Sequence, residues 1–176
     1  GKRLEEVGRR AEWGNVSLSP DETMLATSLG IGRNAHAMII DLKRGVETRV
    51  APGQQLDSSG SISSKGRVAF SVGLDLYLQD LNSAGEPELL FKSDIQKHQN
   101  NWSPDGRYLI YDEHHATRRQ DLWVIDVAGD RTPKPFVTTN ADESPAVFSP
   151  DGRWIAYASD ETGKREIYVR DFAPDR

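Results

Sequence analysis

Apolar and polar residues alternate along this chain in short runs separated by turn-forming residues. One set of runs covers residues 24–28, 67–71, 108–112 and 154–158. A second set ends in Asp followed by an apolar residue, at Asp41, Asp80, Asp126 and Asp171. Alternation with a period of two is typical of half-buried β-strands, and no stretch keeps the 3.6-residue period of a helix. The pattern therefore predicts an all-β protein.

A turn signal recurs four times at nearly constant spacing. The four aligned segments are Leu18-Ser19-Pro20-Asp21, Ile62-Ser63-Ser64-Lys65-Gly66, Trp102-Ser103-Pro104-Asp105-Gly106 and Phe148-Ser149-Pro150-Asp151-Gly152. Their serines are 44, 40 and 46 residues apart. Proline has no N–H for a strand ladder, so it ends a strand, and Asp-Gly favours a tight turn. Each copy is predicted to start a new four-stranded unit.

The fourth strand of each unit is a weaker run, at residues 47–51, 88–92 and 134–138. One four-stranded sheet cannot cover both of its apolar faces, whereas sheets arranged around an axis cover one another. We therefore predict a β-propeller of four four-stranded blades in a single propeller domain or half-propeller. The expected blades are about 13–51, 57–92, 98–138 and 144–172. The alternative, a β-sandwich of unrelated hairpins, predicts no regular spacing.

The last unit lacks a fourth strand, and residues 2–7 resemble an orphan strand, with Leu4 and Val7 among charged residues. We expect this N-terminal strand to complete the last blade, either in its own chain or in a second chain. Exchange of the strands between two chains would give an eight-bladed ring and a homodimer. The Gly1 start also fits an excised arc of a longer propeller, or a scaffold without a function of its own.

Composition narrows the classes of partner. The chain has 176 residues, of which 36% are hydrophobic and 28% charged, with a net charge of −5. This net negative charge does not indicate the clustered Lys and Arg residues that bind nucleic acid or an anionic membrane. No apolar run approaches the roughly 20 residues of a membrane-spanning helix, so membrane insertion is not expected. The absence of cysteine excludes disulfides and thiolate metal sites.

The sequence contains no recognisable catalytic motif. Neither a Gly-x-Ser-x-Gly nucleophile elbow nor a phosphate-binding loop occurs, so we expect no enzymatic activity and no cofactor. The turn aspartates recur in different units, which favours turn capping over a single metal site. His114 and His115 lie in the polar stretch 113–120, and neighbours on a strand would point to opposite faces. No metal site is expected there.

Two classes of loop are expected to converge on one face of the propeller. They contain charged and imidazole side chains, and we take these as candidates for binding a partner: Arg33, His36, His98, His115 and Arg118. The alternative is that each is an ordinary solvated surface residue. Loops on a rigid scaffold are a common place for recognition.

Two segments, Trp102-Ser103-Pro104-Asp105-Gly106-Arg107 and Phe148-Ser149-Pro150-Asp151-Gly152-Arg153, carry the strongest family signature. An aromatic residue, Ser-Pro-Asp-Gly-Arg, an apolar strand and a closing Tyr-Val-x-Asp resemble the TolB-like (WD-like) β-propeller repeat. The resemblance is strongest over residues 100–172 and weakest over 58–81, where Ser64-Lys65 replaces Pro-Asp. Residues 89–171 are also similar to propellers appended to bacterial serine/threonine protein kinases.

The resemblance implies several functions. Kinase-appended propellers are regarded as sensing or interaction modules, the TolB protein of the cell envelope binds protein partners, and similar propellers gate prolyl oligopeptidases. We expect a non-catalytic interaction or scaffold module that binds a protein or peptide. The alternative is an accessory sensing or gating propeller of a kinase or peptidase whose catalytic domain lies outside this chain. A periplasmic or extracytoplasmic location is implied by the resemblance alone.

Overall fold

The computed structural model describes residues 10–30, 36–51, 60–83, 85–116 and 119–174. Within these ranges the chain forms fifteen β-strands, and none of the residues in them builds a helix able to cross a membrane. In chain order the strands are β1 (Trp13–Leu18), β2 (Met24–Leu29), β3 (His36–Asp41), β4 (Val46–Arg49), β5 (Ser61–Ile62), β6 (Arg67–Val72), β7 (Asp75–Asp80), β8 (Glu88–Phe91), β9 (Gln96–Trp102), β10 (Tyr108–His114), β11 (Gln120–Asp126), β12 (Pro133–Val137), β13 (Ala146–Phe148), β14 (Trp154–Ser159) and β15 (Glu166–Asp171).

The strands form four antiparallel sheets, each a simple meander in chain order. Three sheets have four strands, β1–β4, β5–β8 and β9–β12, and the described part of the last has three, β13–β15. We call these sheets blades 1 to 4. The predicted all-β propeller architecture is confirmed. The predicted N-terminal strand 2–7 lies outside the described residues.

Consecutive blades bury apolar side chains against each other, so the core consists of three layers between blades. Phe70 of blade 2 packs in the layer shared with blade 1, and Trp102 of blade 3 packs in the layer shared with blade 2. Tyr108, Leu122 and Val124 of blade 3 face blade 4. Burial of such side chains contributes roughly 1.5–3 kcal/mol each, so blade-to-blade packing is a main source of stability.

The repeated serine closes the turn between the first and second strands of a blade. In blade 3, Ser103 Oγ donates to Asp105 Oδ1 at 2.6 Å and accepts from the backbone N–H of Tyr108 at 2.8 Å. Gly106 follows with a φ of 66°, which glycine adopts without a steric penalty. Arg107 then donates to Asp126 Oδ2 at 2.7 Å and ties the turn to the end of the third strand.

Each blade thus has two ends with different chemistry. The turn end carries the serine turns and the aspartates that end the third strands. The opposite end, where second strands finish and third strands begin, carries His36, His98, His114 and His115. We call it the histidine end. It is the part of the fold that positions the candidate site.

Candidate functional site

Strand register brings three ligand-type side chains together at the histidine end of blade 3. His98 on β9 lies directly opposite Asp112 on β10. His114 follows Asp112 by two residues on the same strand, so its side chain points to the same face of the sheet. All three residues lie on the side of the sheet that faces blade 4, where Ser144 also contacts Asp112.

The three side chains are close enough to act as one group. Asp112 Oδ2 lies 2.6 Å from His114 Nε2 and 3.7 Å from His98 Nδ1. The two imidazole rings meet edge to face, with centroids 4.1 Å apart and planes inclined by 75°. One ligand atom from each residue lies within 4.8 Å of the others. His98, Asp112 and His114 are hereafter the His-Asp-His cluster.

The carboxylate of this cluster is held by blade 3 and blade 4 together. Asn100 Nδ2 donates to Asp112 Oδ1 at 2.5 Å, and Ser144 Oγ donates to the same oxygen at 2.9 Å. Asn100 also accepts the backbone N–H of Ala146 in blade 4 at 2.7 Å through its Oδ1. Asp112 is only 1% exposed. Its second oxygen is therefore left facing the two imidazoles.

His115 belongs to a separate group on the other side of the strand end. Its Nε2 lies 2.9 Å from Asp121 Oδ2, and Arg119 Nε lies 3.5 Å from Asp121 Oδ1. Arg119 also donates to Asn140 Oδ1 at 3.1 Å. His114 and His115 thus point apart, as neighbours on a strand do.

Two buried ionisable residues support the same end of the blades. Lys97 Nζ donates to the carbonyl oxygen of Ile95 at 2.8 Å and lies 3.5 Å from Glu113 Oε1. Burial lowers the pKa of Lys97, and the Glu113 carboxylate opposes that effect. Glu143 is fully buried and accepts a hydrogen bond from the Thr139 hydroxyl. Burial raises the pKa of Glu143.

The structure brings together only part of the set predicted to bind a partner. His98 joins the cluster and His115 pairs with Asp121, whereas His36 accepts a hydrogen bond from Arg49 at 2.7 Å in blade 1. All three lie at the histidine end of their blades but make separate contacts. Arg33 and Arg118 lie outside the described residues.

The sequence prediction missed Asp112, His114 and Asn100 as members of one site. It placed His114 in a polar loop, whereas β10 continues through His114 and pairs it with both Gln96 and Gln120. The available signal was the alternation Asp112-x-His114, which puts two ligand-type side chains on one face of a strand. Only the pairing of β9 with β10 adds His98.

Comparison with known proteins supports the architecture. No family model matches the chain. An uncharacterised protein of Agrobacterium fabrum, Atu1656, is 29% identical over 89 residues, which is 49% of this chain and 29% of that protein. A solved TolB-type structure from Agrobacterium tumefaciens gives a TM-score of 0.74 at 21% identity, covering 92% of this chain and 58% of the other.

TolB from Acinetobacter baumannii gives a TM-score of 0.75 at 18% identity and covers 92% of this chain and 41% of its own. The chain has the TolB β-propeller fold. A structure of prolyl endopeptidases is also similar, with a TM-score of 0.64 at 13% identity, covering 91% of this chain and 27% of the other. The chain therefore spans less than two thirds of each of these proteins.

Proposed function

We propose that this chain is a non-catalytic propeller module that binds a protein or peptide partner at its histidine end. The supporting observation is that partly exposed side chains at this end contact buried carboxylates. His98 lies near Asp112, and both His115 and Arg119 lie near Asp121. The side chains of His98 and His115 are 39% and 27% exposed, while those of their carboxylate partners Asp112 and Asp121 are 2% and 6% exposed. Such groups present fixed hydrogen-bond donors to a ligand, which lowers the entropic cost of binding.

The fold is compatible with this role, since loops on a rigid scaffold commonly recognise partners. The proposed binding residues are those expected from the sequence: the histidines His36, His98 and His115, together with Arg33 and Arg118. A test is affinity capture from a bacterial lysate, followed by binding measurements with the purified partner. We expect the double variant His98→Ala/Arg118→Ala to weaken binding by tenfold or more, because hot-spot side chains contribute about 2 kcal/mol or more each.

The matched control is Arg44→Ala/Arg153→Ala, which removes two exposed arginines at the turn end. It should leave the affinity unchanged. If the histidine-end variant binds as tightly as the unaltered chain, this face is not the binding surface. If the turn-end variant alone loses binding, the interaction lies at the opposite end of the propeller.

A second candidate is an accessory sensing or gating propeller of an enzyme. It is favoured by the similarity to prolyl endopeptidases, because this chain covers only 27% of that structure. In this case a kinase or peptidase domain would lie elsewhere in a longer protein. The sequence of the full gene distinguishes the two candidates, since an adjoining catalytic domain would favour the accessory role.

We also propose that two copies associate through the ends of the blade array. Ile167 and Val169 on the outer face of blade 4 are 74% and 64% exposed. Leu18 on β1 is also exposed, although the equivalent residues Ile62 and Trp102 are buried against the preceding blade. The exposed face of blade 4 and the exposed face of blade 1 thus correspond to the two sides of a blade-to-blade interface. In a homodimer with exchanged N-terminal strands, each face would pack against the other face of the second copy.

A further inference from the structure

We propose that the His-Asp-His cluster binds a divalent transition-metal ion. His98, Asp112 and His114 would supply two imidazole nitrogens and one carboxylate oxygen. This assignment differs from the sequence-based expectation of no metal site. It stands independently of the proposed partner-binding role.

The donor set selects the class of cation. Two neutral imidazoles with one carboxylate suit Zn²⁺, and also Co²⁺ or Ni²⁺, whereas Ca²⁺ and Mg²⁺ prefer sites built entirely from oxygen. In a tetrahedral zinc site, with bonds of about 2.0–2.2 Å, neighbouring ligand atoms lie roughly 3.3 Å apart. Here Asp112 Oδ2 lies 2.6 Å from His114 Nε2 and 3.7 Å from His98 Nδ1. These two separations lie on either side of that value, and the three ligand atoms all lie within 4.8 Å of one another.

A second and independent observation is the orientation of the Asp112 carboxylate. The side chain is 2% exposed, and its Oδ1 is occupied by Asn100 and Ser144. Among the residues that the structure describes, Oδ2 has no hydrogen-bond partner in regular geometry. In the metal-bound state the cation would replace the 2.6 Å contact of this oxygen with His114 Nε2 and would neutralise the buried carboxylate.

The surrounding contacts resemble the outer shell of a metal centre. Carboxylate ligands in such sites are themselves hydrogen-bonded, as Asp112 is through Asn100 and Ser144. The side-chain amide of Gln120 lies 3.3 Å from His114 Nδ1. The Gln120 amide nitrogen is the atom that faces Nδ1. Exchange of the amide oxygen and nitrogen by rotation of the side chain would let the oxygen accept the Nδ1–H, and Nε2 would then be the nitrogen that binds the metal.

The site would keep an open coordination position. The side chains of His98 and His114 are 39% and 26% exposed, so the cation is accessible from the histidine end. Three protein ligands leave a fourth tetrahedral position for water or for a carboxylate or other anionic group of a ligand.

The test is isothermal titration calorimetry of the full, tag-free chain with ZnCl₂ and, separately, CoCl₂. We expect one ion per chain, and visible absorption of bound Co²⁺ that reports nitrogen and oxygen ligands. His98→Ala and His114→Ala should each lower the affinity about a hundredfold or more, which exceeds the usual loss for outer-shell changes. MgCl₂ and CaCl₂ should give no binding in the same range.

The matched controls are His115→Ala and His36→Ala, which remove the other two histidines of the chain. They should bind Zn²⁺ as the unaltered chain does. The proposal is overturned if Zn²⁺ binds no tighter than millimolar. Equal affinity of the unaltered chain and the His98 and His114 variants also overturns it, as does loss of binding only in the controls.

Ser144 allows a test of whether the residues that hydrogen-bond to Asp112 position it as a metal ligand. Ser144→Ala removes one hydrogen bond from Asp112 Oδ1 and should weaken Zn²⁺ binding by about tenfold, while Ser144→Thr restores the hydroxyl and the affinity. Substitution of the buried Asp112 itself can unfold the blade, so Asp112→Asn is assessed only after circular dichroism shows native strand content. If Ser144→Ala and Ser144→Thr lose stability equally but keep full affinity, Ser144 does not position a ligand.

Discussion

At the residue scale, the repeated aspartates and the histidine cluster use similar side chains for different purposes. Asp151 accepts from the Ser149 hydroxyl at 2.5 Å and from the backbone N–H of Arg153 at 3.1 Å. These hydrogen bonds favour the ionised carboxylate and lower the pKa of Asp151 below its ordinary value. Both hydrogen bonds lie within one turn, which is the structural role expected of a turn-capping aspartate.

Removal of the serine hydroxyl should therefore raise this pKa. We expect Ser149→Ala to move the pKa of Asp151 towards its ordinary value of about 3.9, measured by a ¹³C NMR titration of aspartate carboxyl groups. Because the folded-state pKa is depressed, the turn contributes stability above the ordinary pKa and loses it as the pH falls through the folded value. Ser83→Ala, outside the serine turns, is the control. An unchanged Asp151 titration in Ser149→Ala would contradict the assignment.

The capping role of the aspartates was predictable, because their recurrence in several units is visible in the sequence. The His-Asp-His cluster was not. Asp112-x-His114 shows which side chains share a strand face, but the contribution of His98 depends on the register between β9 and β10. A shift of one residue would turn His98 to the opposite face of the sheet, and short-range sequence patterns do not determine that register.

At the element scale, the strands follow the predicted pattern closely because their boundaries are set by local chemistry. Each first strand ends directly before its serine, and each third strand ends at its aspartate. The hairpin of blade 2 has only two residues, Gly73 and Leu74, between its second and third strands. The exception is β10, which continues to His114 because it remains paired on both sides.

A serine turn also contacts the neighbouring blade. A glycine at that contact should therefore tolerate substitution less well than a glycine in an open turn. Gly106 has a φ of 66°, and a Cβ there would lie 3.2 Å from Ser64 Oγ in blade 2. Ser64 Oγ is fixed by its hydrogen bond to the carbonyl oxygen of Pro104 at 2.8 Å. Gly163 has a φ of 86°, and a Cβ there would meet nothing within 4 Å.

Gly163→Ala should therefore lower the free energy of unfolding by only about 1 kcal/mol, which is the cost of a non-glycine residue in the left-handed backbone region. Gly106→Ala should lower the free energy of unfolding by more, because the added methyl group also disturbs the contact between blades 2 and 3. Urea denaturation of both variants measures the difference. Equal losses would mean that the serine turn does not contribute to blade packing.

At the scale of the whole molecule, the repeat explains why the end blades differ from the inner ones. Ile167 and Val169 of blade 4 occupy the positions of Leu122 and Val124 in blade 3, which are buried against the next blade. Trp154 corresponds in the same way to Tyr108 and is 42% exposed. The number of blades can be read from the sequence because each blade is a meander of strands that are consecutive in the chain. Closure depends on contacts between distant units or chains, which no local pattern specifies.

We expect the exposed face of blade 4 to be covered by blade 1 of a second copy. Multi-angle light scattering at micromolar concentration should then give twice the 19.6 kDa of one chain. Ile167→Lys/Val169→Lys should shift the mass to that of the monomer, because burying two ammonium groups in an apolar interface is unfavourable. Leu74→Lys, in the exposed hairpin of blade 2, should leave the mass unchanged. A monomer for the unaltered chain would contradict association, and would favour the interpretation that these faces meet further blades of a longer protein.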